Sequence, residues 1–119
     1  QQLVARLLDA KNRSGLTFQQ IASRLQLTNL YVAQILLNQA QLKPAQAANF
    51  QRVLPHIKPD DLLRMQAPPF RSFDPAIAQE PNVYRTTEAV LHYGAAIKSV
   101  VNERFGDGIM SAIDLFATV

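Results

Sequence analysis

The stretch Ala67–Pro81 holds four prolines, Pro68, Pro69, Pro75 and Pro81, in fifteen residues. Proline has no backbone N–H and its ring clashes with the preceding turn, so no helix is expected to survive that density. The stretch divides the chain into a helical first part over 1–66, a proline-rich linker arm over 67–81, and a last part over 82–119. Phe70 and Phe73 are expected to pin the arm to a surface. The whole chain, 119 residues, is one domain's worth, or two small units sharing a core.

The first part reads as five short helices. Leu3, Val4, Leu7 and Leu8 keep helical spacing, and Gly15 follows as a stop. Thr17-Phe18-Gln19-Gln20 is a capping box, in which the Thr17 hydroxyl accepts from Gln20 N–H and Gln20 reaches back. Ile21, Ala22 and Leu25 form the buried stripe behind it. Thr28 is the next N-cap, followed by Leu30, Val32, Ile35 and Leu36. Pro44 sits at a favoured first-turn position for a helix to about Leu54. Pro59-Asp60-Asp61 repeats that start, with acids at the positive end of the helix dipole and Leu62, Leu63 and Met65 behind.

After Pro81 a helical pattern runs from Val83 to about Phe105. Val90, Ile97, Val101 and Phe105 lie on one stripe, with Leu91 and Val100 flanking it. Gly106-Asp107-Gly108 ends it as a turn. Ile109 to Val119 reads as a strand, with Ile109, Ser111, Ile113 and Leu115 on one face. A lone terminal strand has no partner in this chain and must pair with other residues or another subunit. The fold class is therefore α+β: a five-helix bundle, a long helix, and a C-terminal strand that pairs between subunits.

Composition removes several function classes. Without cysteine there is no disulfide, thiolate metal site or cysteine nucleophile, and with only His56 and His92 a zinc site is not expected. The longest uncharged stretch, Leu25 to Leu42, carries seven Asn, Gln or Thr residues and cannot span a membrane. No signal peptide is apparent, although the chain starts at Gln1 and a few leading residues are taken to lie ahead of it. The default compartment is cytoplasmic.

Charge is split along the chain. Residues 1–59 carry seven Lys or Arg against one acid, Asp9, a net of +6, whereas residues 60–119 carry five bases against eight acids, a net of −3. A basic half points weakly to nucleic acid and otherwise to a solvated face. The helices Phe18–Gln26 and Asn29–Leu37, joined by a short turn, resemble the helix-turn-helix of phage-repressor domains. DNA reading needs polar groups on the second helix plus phosphate contacts. That helix offers Asn29, Gln34 and Asn38 but no Lys or Arg, and its early positions Leu30 and Tyr31 suit a protein surface. A bundle reused for packing or assembly fits better than a DNA-binding regulator, which is kept as the alternative.

The pattern that carries chemistry opens the long helix. Arg85 and Glu88 are three residues apart and share a face, with His92 one turn further on. On spacing alone they read as a surface ion pair. Pro81-Asn82-Val83-Tyr84-Arg85-Thr86-Thr87-Glu88, then Tyr93 to Lys98, then Glu103 to Asp114 resemble the cyanase (cyanate hydratase) family, most specifically over Phe105–Asp114. Arg13 to Thr17, Leu27 to Gln34, Gln39 to Pro44 and Pro68 to Pro75 carry the same likeness, which covers nearly the whole chain. Members of that family continue past Val119 with more strand.

The resemblance implies an enzyme that joins cyanate to bicarbonate as co-substrate, giving carbamate and carbon dioxide, carbamate then yielding ammonia and a second carbon dioxide. It implies no metal or organic cofactor, and a homodecamer, a pentamer of dimers, with sites shared between subunits. The family's catalytic arginine, glutamate and serine match Arg85, Glu88 and Ser111. Both substrates are monoanions and their adduct is a dianion, so the first need is fixed positive charge, which Arg85 supplies with a planar fork. Ser111 can donate to an oxyanion, and Glu88 either holds Arg85 or handles a proton. By its alternation with Ile109 and Ile113 alone, Ser111 is a small residue on a packed strand face. His92 is expected to pack or hydrogen-bond, and His56 is assigned no role.

Overall fold

The computed structural model describes residues 2–107 and 117–119. The described residues form two compact units, one from residues 2–72 with 117–119 and the other from 73–107.

In the first unit, α1 (Gln2–Ser14) stops at Gly15, whose φ of +72° is left-handed backbone that glycine adopts freely. α2 (Phe18–Leu25) opens on the expected capping box: Gln20 N–H donates to Thr17 Oγ1 at 3.1 Å, and Thr17 N–H donates to Gln20 Oε1 at 2.9 Å. It ends on Gln26, which takes the left-handed conformation (φ 57°, ψ 42°) usually left to glycine, so that Gln26 N–H and Leu27 N–H both reach Ala22 O. α3 (Asn29–Leu36) starts from Thr28, whose Oγ1 accepts from Tyr31 N–H at 3.3 Å. α4 (Pro44–Val53) and α5 (Pro59–Met65) each begin on proline, with no side-chain cap.

These helices enclose one core. Leu7 of α1, Ile21 of α2, Val32, Ile35 and Leu36 of α3, Phe50 of α4 and Met65 of α5 are fully buried, with Leu42 and Leu54 from the connections. Each such side chain contributes about 1.5–3 kcal/mol by leaving water. Leu30 is exposed, as expected of its early position on α3, whereas Leu63, expected behind the acids of α5, is also exposed because it falls on the outer side of that short helix. Tyr31 is half-buried, its hydroxyl donating to Gln41 O at 3.3 Å.

Asp61, 4% exposed, is the buried acid among the described residues, and Arg6 answers it with a two-pronged contact. Arg6 Nε donates to Oδ2 at 2.8 Å and Nη2 donates to Oδ1 at 2.9 Å, tying α1 to α5. These hydrogen bonds hold the Asp61 carboxyl below its ordinary range, against the opposing effect of burial.

In the second unit, the arm is not free of helix. Pro75–Gln79 forms a short 3-10 helix, because proline is tolerated in a first turn and Asp74 caps it by accepting from Ala76 N–H at 2.9 Å. Phe70 in the first unit and Phe73 in the second are 98% and 78% exposed, so the described residues of its own unit cover neither ring. α6 (Pro81–Phe105) has no buried residue, and the apolar stripe residues Val90, Ile97 and Phe105 are exposed along it, as are Leu91 and Val100. α6 ends at Gly106, with φ +70° and ψ −142°. The expected strand from Ile109 falls mostly on 108–116, outside the described residues, and 117–119 are irregular. No described helix is long and apolar enough to cross a membrane.

Candidate active site

α6 places two of the three expected site residues. Its first turns bring Arg85 and Glu88 to one face, and Arg85 Nη1 donates to Glu88 Oε1 at 2.8 Å. The ring of Tyr84 lies 5.7 Å from Arg85 Cζ, within range of a cation–π contact. Sequence gave no signal for that contact, because adjacent residues on a helix do not usually face each other. Ser111 lies outside the described residues. His92 follows one turn after Glu88, and its ring meets Tyr93 edge-on at 5.1 Å between centroids.

The Arg85 side chain is 76% exposed and that of Glu88 49%. In such surroundings a pair of this kind contributes about 0–1 kcal/mol to stability. What it supplies is a fixed cation oriented by one hydrogen bond, with a carboxylate on one side and an aromatic face on the other. Among the described residues no group of three or more His, Asp or Glu converges on a point that could hold a metal ion.

Clefts among the described residues of the first unit include a shallow pair. One is lined by Arg24, Gln26, Asn49 and Arg52, the other by Arg6, Asp9, Arg13, His56, Lys58 and Asp61. In the second, Asp9 and Asp61 neutralise Arg13 and Arg6. Of the polar residues considered for DNA reading, Gln34 is exposed on α3 and Asn29 is half-buried at its first position. Asn38 lies beyond the helix in a left-handed turn (φ 56°), so it is not on the helix face the spacing assigned it to.

The family profile described as cyanate lyase C-terminal domain matches residues 75–119, which include Arg85, Glu88 and Ser111. The cyanate hydratase of Arabidopsis thaliana is 49% identical over 119 residues, all of this chain and 71% of its own length. The cyanate hydratase of Phaeodactylum tricornutum (strain CCAP 1055/1) is 50% identical over 117 residues, 98% of this chain and 61% of its own length. The crystal structure of cyanase from T. urticae superposes with a TM-score of 0.78 at 30% identity, covering 91% of this chain and 77% of that one.

Proposed function

The chain belongs to the cyanase family, and on that premise we propose how it decomposes cyanate: by joining it to bicarbonate as co-substrate. The observation that carries this is about 50% identity to cyanate hydratases over essentially the whole chain. A bicarbonate oxygen attacks the cyanate carbon and the bicarbonate proton passes to nitrogen, giving a dianionic adduct. Loss of carbon dioxide and uptake of one proton leave carbamate. A second proton then releases ammonia and the second carbon dioxide.

Two anions become one dianion, so the residues needed are cations and hydrogen-bond donors rather than a nucleophile. Arg85 faces the oxygens of the adduct with its planar fork. Glu88 holds that fork in orientation, a role supported by the 2.8 Å contact, since a carboxylate turned toward the anions would repel them. Ser111 donates to an oxyanion, a role supported by its place in the family's most specific stretch. Holding both ions together contributes proximity. No metal or organic cofactor is assigned.

Arg85 alone in water is insufficient. Two unit charges 4 Å apart interact by about 1 kcal/mol at the dielectric of water and by about 4 kcal/mol near a protein surface. An arginine 76% exposed therefore gains most when a second surface covers it. α6 also offers an uncovered apolar stripe. Both support a homo-oligomer; the family resemblance implies that it is a decamer, a pentamer of dimers, with Arg85 and Ser111 meeting across subunits. Residues 82–119 then form the catalytic and assembly region, 67–81 the arm and 1–66 the helical bundle. The DNA-binding alternative is not favoured, because α3 carries neither Lys nor Arg.

Ammonia release from cyanate, measured with and without bicarbonate, tests the reaction. Bicarbonate-dependent release is expected, and its absence from folded protein would overturn the assignment. Co-assembly of inactive Arg85→Ala and Ser111→Ala chains tests the shared site. Hybrid sites should restore part of the activity, and mixed assemblies that form yet stay inactive would exclude sharing.

A further inference from the structure

Tyr84 and Arg85 are consecutive on α6, about 100° apart around the helix, so their side chains do not meet by default. They meet nevertheless, with Arg85 Cζ 5.7 Å from the centre of the Tyr84 ring and over its face. The backbone beneath them is fixed, since Pro81 opens the helix and Tyr84 N–H donates to Glu80 O at 2.8 Å. Glu88 holds the same guanidinium at its edge, accepting from Nη1 at 2.8 Å. The hydroxyls of Thr86 and Thr87 donate to Asn82 O at 2.8 Å and Val83 O at 2.9 Å of the same helix, so their protons are already spent.

We propose that Tyr84 is a positioning residue for Arg85 in the reaction assigned above, an inference that rests on that assignment. A guanidinium gives its hydrogen bonds in its own plane, whereas an aromatic ring attracts it through its face. The Tyr84 ring therefore holds Arg85 without using a donor and without neutralising its charge. A second carboxylate in that place would do both, and would repel two anionic substrates as well. Contact at the edge with Glu88 and at the face with Tyr84 restrains the fork in two directions, and the remaining in-plane N–H groups are left for oxygens of the adduct. The role belongs to the ring and not to its hydroxyl, and Tyr84 acts only through Arg85.

The full chain with isotope-labelled arginine, as wild type, Tyr84→Phe, Tyr84→Leu and Tyr84→Gln, tests this by two readouts. In NMR spectra the Arg85 side-chain signals, assigned by their loss in Arg85→Lys, should be shifted upfield by the ring in wild type and Tyr84→Phe, and should lose that shift in the Leu and Gln variants. This readout needs no turnover. In bicarbonate-dependent ammonia release, Tyr84→Phe should stay within about twofold of wild type. Tyr84→Leu or Tyr84→Gln, whichever keeps the wild-type helix content and elution volume, should lose about 5- to 30-fold in kcat/KM, the size of a cation–π contact in a covered site. An Arg85 signal without the ring shift in wild type, a Leu or Gln variant within twofold of wild type, or a Phe variant as impaired as the Leu variant overturns the proposal, the last by moving the role to the hydroxyl. A wild type that shows the shift and releases no ammonia overturns the reaction, and the positioning role with it, while leaving the contact standing.

Discussion

Arg85→Lys keeps the positive charge of the proposed site and removes its shape. The Arg85 guanidinium has five N–H donors in one plane. Glu88 takes one of them, through Nη1 at 2.8 Å, which leaves a second edge to face an oxygen pair. A lysine ammonium is a point charge with three donors and no fork, so keeping its contact with Glu88 leaves it one good bond to the adduct instead of two. A hydrogen bond to a charged group contributes about 1.5–3 kcal/mol. Its loss predicts a fall in kcat/KM of about 10- to 150-fold, at roughly 1.4 kcal/mol per tenfold. Initial rates of ammonia release over a range of cyanate at saturating bicarbonate measure it, with circular dichroism checking that the helices remain. A fall in kcat at constant KM would place the lost bond in the transition state, and a rise in KM at constant kcat would place it equally in the bound substrates. A lysine variant within about threefold of wild type, where a whole charge-assisted bond was to be lost, refutes the two-pronged contact.

Phe50→Ala should lower stability by about 3–5 kcal/mol, since the ring is fully buried at the centre of the helical unit; a urea midpoint equivalent to less than about 1 kcal/mol would show that the core repacks freely. Asp61 titrates below its ordinary range in the folded chain, so its stabilisation is present at neutral pH and lost as pH falls from about 4 through the lower folded value. Melting temperatures of wild type and Asp61→Asn should therefore converge toward acid pH, and curves that stay parallel would contradict the Arg6 contact. Gly106→Ala should cost about 1–3 kcal/mol at the end of α6, because φ +70° with ψ −142° is backbone that only glycine adopts readily. A new Cβ there meets nothing within 4 Å, so the cost is conformational rather than steric. Asparagine, which tolerates the left-handed region near ψ +45°, should do no better; unchanged activity and stability in both variants would refute the strain.

Local chemistry was legible in the sequence and long-range chemistry was not. The Thr17 capping box, the Thr28 cap and the proline starts of α4 and α5 are made by residues within four positions of each other, and each is where the spacing put it. Arg6 and Asp61 are separated by fifty-five positions, and nothing in either neighbourhood announces the other. Gln26 in the left-handed conformation carries no glycine signal, and tertiary packing of α2 against α3 overrides its preference. Proline density excludes a helix interior and not a helix start, so the arm still forms a 3-10 turn where Pro75 follows a capping Asp74. At the site, the Arg85–Glu88 contact follows from three-residue spacing alone. Its chemistry does not, since the same spacing describes an ordinary surface pair, and only the wording of the surrounding segments through Asp114 distinguishes the two.

α6 runs for twenty-five residues without burying one of them. A helix that long can form by itself in part, but its apolar stripe gains nothing from water, so its stability is set by how often it meets a cover. When that cover is another copy, mass action enters the folding equilibrium and the melting temperature rises with chain concentration. Specific activity then ceases to be a constant of the protein: serial dilution lowers the rate per chain, and the amount of enzyme present governs how well each molecule works.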